Sequence, residues 1–131
     1  MTRKDDQHPE AAAPPVVFRR MTPPEVGPGT RSAFLGMPAS RAWTEPVLSF
    51  WELSAAGWED CHPHSETTVV LEGVLHVESA GTEVVLRAGD IAVVPAGSTG
   101  RYWAPEHARM VGIYGPNPTG QPTPPGRGWT V

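Results

Sequence analysis

Between residues 47 and 114 the chain consists of short apolar runs, each closed by a turn signal. The runs are Val47–Leu53, Thr67–Leu71, Val74–Glu78, Val84–Leu86, Ile91–Val94 and Arg109–Tyr114. None of them sustains the helical repeat of about 3.6 residues, and weak helix signals occur only before residue 45. Short β-branched runs at this spacing are typical of an all-β sandwich or barrel. The sequence therefore predicts an all-β fold.

Proline divides the chain into a central part and two arms. Of the 16 prolines, 11 lie in residues 1–28 or 115–131. Proline has no amide donor for a β-ladder, so both segments are predicted to be mostly irregular. A short strand at residues 16–20 and an anchoring role for Trp129 are expected. The predicted organisation is an N-terminal arm (1–28), one barrel (29–114) and a C-terminal arm (115–131).

The composition excludes several classes of protein. A chain of 131 residues with net charge −4 and no cluster of Lys or Arg gives no support for nucleic-acid binding. Cys61 is the only cysteine, so no internal disulfide is expected and a reducing compartment fits best. No apolar run approaches about 20 residues, and the charged N-terminus is not followed by an apolar segment. A cytoplasmic protein is expected, and the preference for Arg over Lys points to a GC-rich bacterial source.

Glycine and proline recur at fixed spacing between residues 66 and 97. Glu66 is followed after six residues by Gly73, and Gly89 is followed after five residues by Pro95 and then by Gly97. Glycines in such positions permit the sharp turns of a small barrel, and Pro95 can end a strand where no donor is needed.

This pattern resembles the two conserved motifs of the cupin superfamily. Glu66 and Gly73 match the end of the first motif, and Gly89, Pro95 and Gly97 match the second. The continuation through residue 103 is similar to small cupins of the ethanolamine-utilisation type. The resemblance implies a two-sheet jelly-roll barrel (a double-stranded β-helix) with an internal pocket, usually assembled as a homodimer. It also implies a wide range of chemistries, so the fold alone does not fix the function.

The sequence departs from the family pattern at the metal-ligand positions. The histidine of the second motif would fall at Gly100 and its asparagine at Ala104. The fourth ligand of the usual set of three histidines and one glutamate is therefore missing. The first motif is also compressed, because His64 and Glu66 are only two residues apart.

Two alignments of the first motif give two ligand sets. Counting back from Gly73 places ligands at Asp60 and His62, whereas the His-x-His pair itself places them at His62 and His64. In one straight strand the Cα atoms of His62 and Glu66 would be about 13 Å apart, too far to share an ion. A turn at Pro63 would bring Glu66 back towards His62, so Asp60, His62 and Glu66 are predicted to converge, with His64 in reach.

Either set combines imidazole with carboxylate and predicts one divalent transition metal: Fe, Mn, Ni, Zn or Co. Three protein ligands leave positions open for water and substrate, which favours catalysis over a structural ion. The alternative is that His62 and His64 are exposed residues beside a proline turn and bind no metal. Strand alternation turns Cys61 away from the histidine face.

Three further side chains are candidates for the pocket. Tyr102 has the same parity as residue 100, so it is predicted either to donate a proton or to form part of the pocket wall. Trp58 has the parity of Asp60 and either lines the pocket or packs in the core. Glu66 or His64 could move a proton if not used as a ligand.

The leading hypothesis is a metal-dependent small-molecule enzyme with isomerase, cyclase, lyase or oxygenase chemistry in bacterial small-molecule or secondary metabolism. The second is a non-catalytic ligand-binding or sensor cupin without metal, which the missing fourth ligand favours. A third is a structural dimer whose arms exchange between subunits. The sequence contains no phosphate-binding loop and no nucleophile elbow.

Overall fold

The computed structural model describes residues 12–131, and every element in this part of the chain is a β-strand. The strands are β1 (Glu25–Gly27), β2 (Thr30–Leu35), β3 (Val47–Cys61), β4 (Glu66–Ser79), β5 (Thr82–Arg87), β6 (Ile91–Val94), β7 (Thr99–Tyr114) and β8 (Arg127–Thr130). The predicted all-β fold is confirmed. Within the same range there is no helix long and apolar enough to cross a membrane.

The eight strands form one antiparallel sheet that bends until its halves face each other. The order is β1-β2-β3-β7-β4-β5, with β6 paired to β4 and β8 paired to β3. The first half of β3 pairs with β2 and the end of β7, and its second half pairs with β8 and the start of β7. The long strands β3, β4 and β7 therefore serve both layers of a jelly-roll sandwich, the architecture expected of a cupin.

Two local features allow the long strands to bend. The ladder between β3 and β7 shifts register between Ser54 and Ala56, where Ala55 has a φ of 48°. On β4, Gly73 has a φ of 81°, and a Cβ there would collide with the carbonyl group of His107. A bulged residue and a glycine without side chain thus let the backbones turn where the two layers meet.

The core lies between the layers and contains Leu53, Val70, Leu75 and Met110, each at most 1% exposed. These positions follow the period-two alternation of their strands, as the apolar runs predict. Towards the β3–β4 turn the buried side chains become polar: Ser49, His64, Glu66 and Thr68 are buried there. This change in polarity separates the packed part of the barrel from its candidate site.

The N-terminal arm differs from the expectation at residues 16–20, which form no strand; the first strand begins at Glu25. Val16 and Val17 are exposed, so β-propensity alone does not pair them. The arm instead contacts the barrel through side chains: Arg109 donates to the Met21 carbonyl at 3.1 Å, Arg31 donates to the Pro23 carbonyl at 3.0 Å, and Arg20 forms an exposed ion pair with Glu72. The part of the predicted arm before residue 12 lies outside the described residues.

The C-terminal arm also differs, because its end forms β8. The segment Arg127–Thr130 follows the last proline, so its amides can join the ladder beside β3, where Trp129 is paired with Gly57. The guanidinium group of Arg101 lies 5.0 Å from the Trp129 ring centroid. Trp129 therefore anchors this arm, as the sequence suggests, but it does so from within a strand.

Candidate metal centre

Asp60, His62 and Glu66 converge at the turn between β3 and β4. Asp60 is near the end of β3, His62 begins the turn and Glu66 begins β4. Potential ligand atoms of the three side chains all lie within 4.8 Å of one another. His62 Nε2 is 3.1 Å from Asp60 Oδ2 and 3.3 Å from Glu66 Oε1. The reversal expected at Pro63 is present and produces this convergence.

Backbone hydrogen bonds from two other parts of the chain hold the turn in place. The amide of Gly97 donates to the His62 carbonyl at 2.9 Å, and the amide of Gly115 donates to the Ser65 carbonyl at 3.0 Å. Gly97 belongs to the second sequence motif, and Gly115 follows β7. The two glycine positions therefore fix the geometry in which the three candidate ligands meet.

Neighbouring side chains orient two of the three candidate ligands. Trp58 Nε1 donates a hydrogen bond of 2.9 Å to Asp60 Oδ2, so Trp58 contacts the centre rather than serving only as core. His62 Nδ1 lies 3.0 Å from the hydroxyl of Thr123 in the proline-rich arm. The contact with Thr123 leaves Nε2 of His62 facing the two carboxylates. A histidine ligand commonly binds such a partner through its second ring nitrogen.

His64 lies beside this group and is buried, but it is not one of the three converging side chains. Its ring stacks on His62, with centroids 4.7 Å apart, and packs against Trp43 at 4.9 Å. Its Nδ1 is 3.0 Å from the Ser65 carbonyl, and because a carbonyl only accepts, Nδ1 carries the proton. Burial lowers the pKa of His64, which favours the neutral imidazole.

The electrostatics of the centre favour a cation. Burial works to lower the pKa of His62, but the hydrogen bond to Asp60 and the nearby carboxylate of Glu66 outweigh it and raise this pKa to about 9. Burial raises the pKa of Glu66. Among residues 12–131, Glu66 Oε1 is buried and accepts no hydrogen bond, although His62 Nε2 lies 3.3 Å away. A buried oxygen in this state, beside a second carboxylate and an imidazole, suits a metal ligand.

Two tyrosines on β7 fold back over glycines two residues earlier. A Cβ added at Gly100 would lie 2.8 Å from the Tyr102 hydroxyl, and one at Gly112 would lie 2.6 Å from the Tyr114 hydroxyl. The space of the missing family histidine is therefore filled by the Tyr102 phenol. Tyr102 is buried behind the centre, whereas Tyr114 lines the cavity. Burial, with the charge of Glu66, raises the pKa of both, so both phenols stay protonated.

A cavity of about 440 Å³, here called the chamber, opens above the three converging side chains. Its aromatic lining residues are Phe34, Trp43, Trp51, Trp58 and Tyr114. Cys61 neither lines the chamber nor belongs to the converging group. The arrangement is an apolar pocket with polar groups concentrated at one end, the usual form of a small-molecule site.

Sequence reasoning missed three residues of this site. Trp43 and Thr123 lie in segments without strand pattern, and the backbones of Trp43 and Asn117 pair to bring those segments together. Tyr114 carried a signal that could have been used, since Gly112–Tyr114 repeats the Gly-x-Tyr pattern of Gly100–Tyr102.

Comparison with known proteins places the fold in a family. Residues 45–109 match the EutQ-like cupin domain. An RmlC-like cupin from Shewanella frigidimarina is 25% identical, with 79% of this chain and 92% of that chain covered and a TM-score of 0.64. A putative ethanolamine utilization protein Q from Salmonella typhimurium is 24% identical, with 67% and 70% covered and a TM-score of 0.58.

A salicylate 1,2-dioxygenase from Pseudoaminobacter salicylatoxidans is 22% identical, with 71% of this chain but 26% of that chain covered and a TM-score of 0.61. The sequence matches no protein of curated function. The family match, the jelly-roll fold and the motif spacing agree with one another. The chain is therefore a member of the cupin superfamily that resembles the EutQ type.

Proposed function

We propose that this protein is a metal-dependent enzyme that acts on a small molecule held in the barrel. The observation that carries the proposal is the convergence of Asp60, His62 and Glu66 at the polar end of the chamber. Three converging donors, one of them a buried oxygen without a hydrogen bond, fit a divalent transition metal bound by nitrogen and oxygen. When bound, such an ion supplies Lewis-acid or redox chemistry to a substrate oxygen.

The residues of this chain then have separate roles. Trp58 and Thr123 orient Asp60 and His62, and the aromatic walls exclude water. His64 is the candidate base, because its lowered pKa keeps the imidazole neutral and able to accept a proton. Glu66 takes that role in a centre where it is not a ligand. Tyr102 stays a protonated phenol, because burial and the charge of Glu66 raise its pKa. Reactions that suit this arrangement are isomerisation, cyclisation, elimination and oxygenation.

The alternative is a ligand-binding cupin that works without metal. One observation favours it: His62 already forms ion-pair contacts with Asp60 and Glu66, so the three side chains satisfy part of one another's charge. Gly100 removes one family ligand as well. In this case the chamber binds its ligand and no reaction follows.

Elemental analysis of the purified protein separates the two functions. The enzyme hypothesis requires close to one equivalent of a transition metal in the native protein and a large loss in His62→Ala. The matched control is His107→Ala, which removes a histidine bound to Ser54 away from the chamber and should keep its metal. Native protein should also be incubated separately with Fe, Mn, Ni, Zn and Co. If it retains less than about a tenth of an equivalent of every one of these metals, the enzyme hypothesis is refuted and the metal-free binding function remains.

A homodimer is also proposed, on the basis of an exposed apolar strand. Ile91 and Val93, two residues apart on one face of β6, are 60% and 59% exposed, and adjoining exposed apolar side chains are typical of a protein–protein contact. Sedimentation velocity should show a dimer for the native protein and a shift towards monomer for Val93→Glu. A native monomer at high micromolar concentration would refute the assembly.

A further inference from the structure

The charged side chains around the chamber restrict the kinds of ligand that it can bind. Among the described residues, no Lys or Arg lines the chamber, whereas Asp60 and Glu66 both do. The arginines on the lining strands are engaged elsewhere. Arg31 and Arg109 donate to the carbonyls of Pro23 and Met21, and Arg101 contacts Glu59. An anionic group inside the chamber would therefore find no Lys or Arg side chain.

A bound divalent ion would not give the centre a net positive charge, because the carboxylates of Asp60 and Glu66 balance it. Without the ion, the positive charge of His62 is already paired with both carboxylates. In either state an anion that leaves water for the chamber loses solvation free energy that no Lys or Arg of the lining offsets.

The aromatic side chains that line the chamber favour a ligand that contains aromatic rings. Aromatic side chains reach the chamber from four parts of the chain: Trp51 and Trp58 from β3, Phe34 from β2, Tyr114 from β7, and Trp43 from the segment between β2 and β3. Faces and edges of aromatic rings attract other rings in stacked or edge-on geometry. The volume of about 440 Å³ is in the lower part of the range of about 300–1000 Å³ for small-molecule sites, which suits one or two rings.

The side chains at the entrance of the chamber are apolar as well. Val26, Phe34 and Met37 line the chamber and are 55%, 54% and 52% exposed, so the rim is apolar. A charged ligand would gain nothing at such a rim, while an apolar one would begin to lose its hydration there.

We propose that the ligand is a one- or two-ring molecule without carboxylate or phosphate, which places a hydroxyl or carbonyl oxygen towards Asp60, His62 and Glu66. This inference rests on the proposed function, because the ligand oxygen is the group that a bound ion would act on. It adds a substrate class that the fold does not supply, since cupins accept many.

Two phenols of matched shape test the proposal: para-cresol (neutral) and para-hydroxybenzoate (anionic). Each is titrated into metal-reconstituted protein by isothermal calorimetry. We expect para-cresol to bind at least about tenfold more tightly than para-hydroxybenzoate, since a buried anion without a cationic side chain beside it is costly. Equal or tighter binding of para-hydroxybenzoate, or no binding of para-cresol at millimolar concentration, would overturn the proposal.

Substitution at the rim provides the matched control. Met37→Lys places a cation at an exposed position on the chamber, so para-hydroxybenzoate should gain several-fold in affinity. Met37→Leu should leave the order of the two probes unchanged. No gain in Met37→Lys would contradict the argument from charge.

Metal content measured on the same samples separates failure of this inference from failure of the proposed function. Full metal occupancy with no preference for para-cresol refutes the ligand class alone. A clear preference for para-cresol in protein that cannot be loaded with metal refutes the enzyme and leaves a protein that binds its ligand without metal.

Discussion

Two clusters of similar residues lie on opposite faces of β3 and β7. The inner cluster is Trp58, Asp60, His62 and Glu66. The outer cluster is Glu59, His76, Arg101, Trp103 and Trp129. Each combines carboxylate, histidine and tryptophan, and neighbouring residues such as Glu59 and Asp60 belong to different clusters.

The two clusters differ in burial and in charge balance. In the outer cluster, Arg101 pairs with Glu59 at 3.0 Å and lies over Trp103 and Trp129, with the Arg101 side chain 42% exposed. In the inner cluster two carboxylates share one histidine, whose side chain is 12% exposed. The outer cluster is thus internally satisfied and solvated, whereas the inner one has spare acceptor capacity. Position relative to the sheet, rather than residue type, makes one cluster a candidate site.

The largest expected effect comes from removing a carboxylate of the inner cluster. Glu66→Gln keeps the shape of the side chain but replaces the anionic donor, so metal affinity should fall by more than about a hundredfold. Glu59→Gln, the matched change one residue before Asp60, should leave metal affinity unchanged. Chelator competition measures both. If the two variants bind metal with similar affinity, Glu66 is no more important for metal binding than Glu59, and the contrast between the inner and outer clusters is wrong.

The next effect concerns pH and stability in metal-free protein. The balance of burial against the bonds to Asp60 and Glu66 leaves the pKa of His62 raised from 6.5 to about 9. Because the folded value exceeds the unfolded one, this stabilisation is complete below pH 6.5 and is lost as the pH rises through about 9. The free energy of unfolding should fall by roughly 2–3 kcal/mol across that window.

Urea denaturation at a series of pH values tests this dependence. His62→Gln should remove the fall, because no imidazole remains to lose its proton, while His76→Gln in the outer cluster should retain it. A native profile that is flat between pH 6.5 and 9 would contradict the described interaction of His62 with its two carboxylates.

A smaller effect is expected at the contact between the proline-rich arm and the inner cluster. Thr123→Val removes the hydroxyl 3.0 Å from His62 Nδ1 with little change in volume, and metal affinity should fall by about tenfold. Thr123→Ser keeps the hydroxyl and should stay within about threefold of native. If valine and serine weaken binding equally, the methyl group rather than the hydroxyl positions the histidine.

The smallest effect is expected in the outer cluster. Arg101→Leu loses an exposed ion pair and the cation–π contacts with Trp103 and Trp129, so stability should fall by about 0.5–1 kcal/mol. Metal affinity should not change. Thermal unfolding and chelator competition on one sample would show whether the two faces are independent, and a loss of metal affinity would show that they are coupled.

The sequence predicts those features that depend on local pattern. The alternating runs gave the strands because side chains two apart share a face, and the prolines and glycines marked the turns. The turn at Pro63 was also predictable, since Pro63 and Ser65 interrupt the strand pattern. Use of this group as a metal centre stays a prediction.

Features that depend on distant contacts could not be predicted. Thr123 reaches His62 across 61 positions of sequence, and nothing in a proline-rich segment marks which hydroxyl will do so. Strand β8 forms because an edge of β3 is free to receive it, and residues 16–20 have β-propensity but no such partner. Tertiary pairing decides both outcomes, so the two arms were the least accurate part of the expectation.

The central claim, a metal ion held by Asp60, His62 and Glu66, is tested most directly by crystallography of metal-reconstituted protein at the absorption edge of the metal. The account predicts one anomalous peak about 2.0–2.2 Å from His62 Nε2 and from one oxygen of each carboxylate. An ordered site with no peak between these three side chains, or a peak bound by other residues, would contradict it.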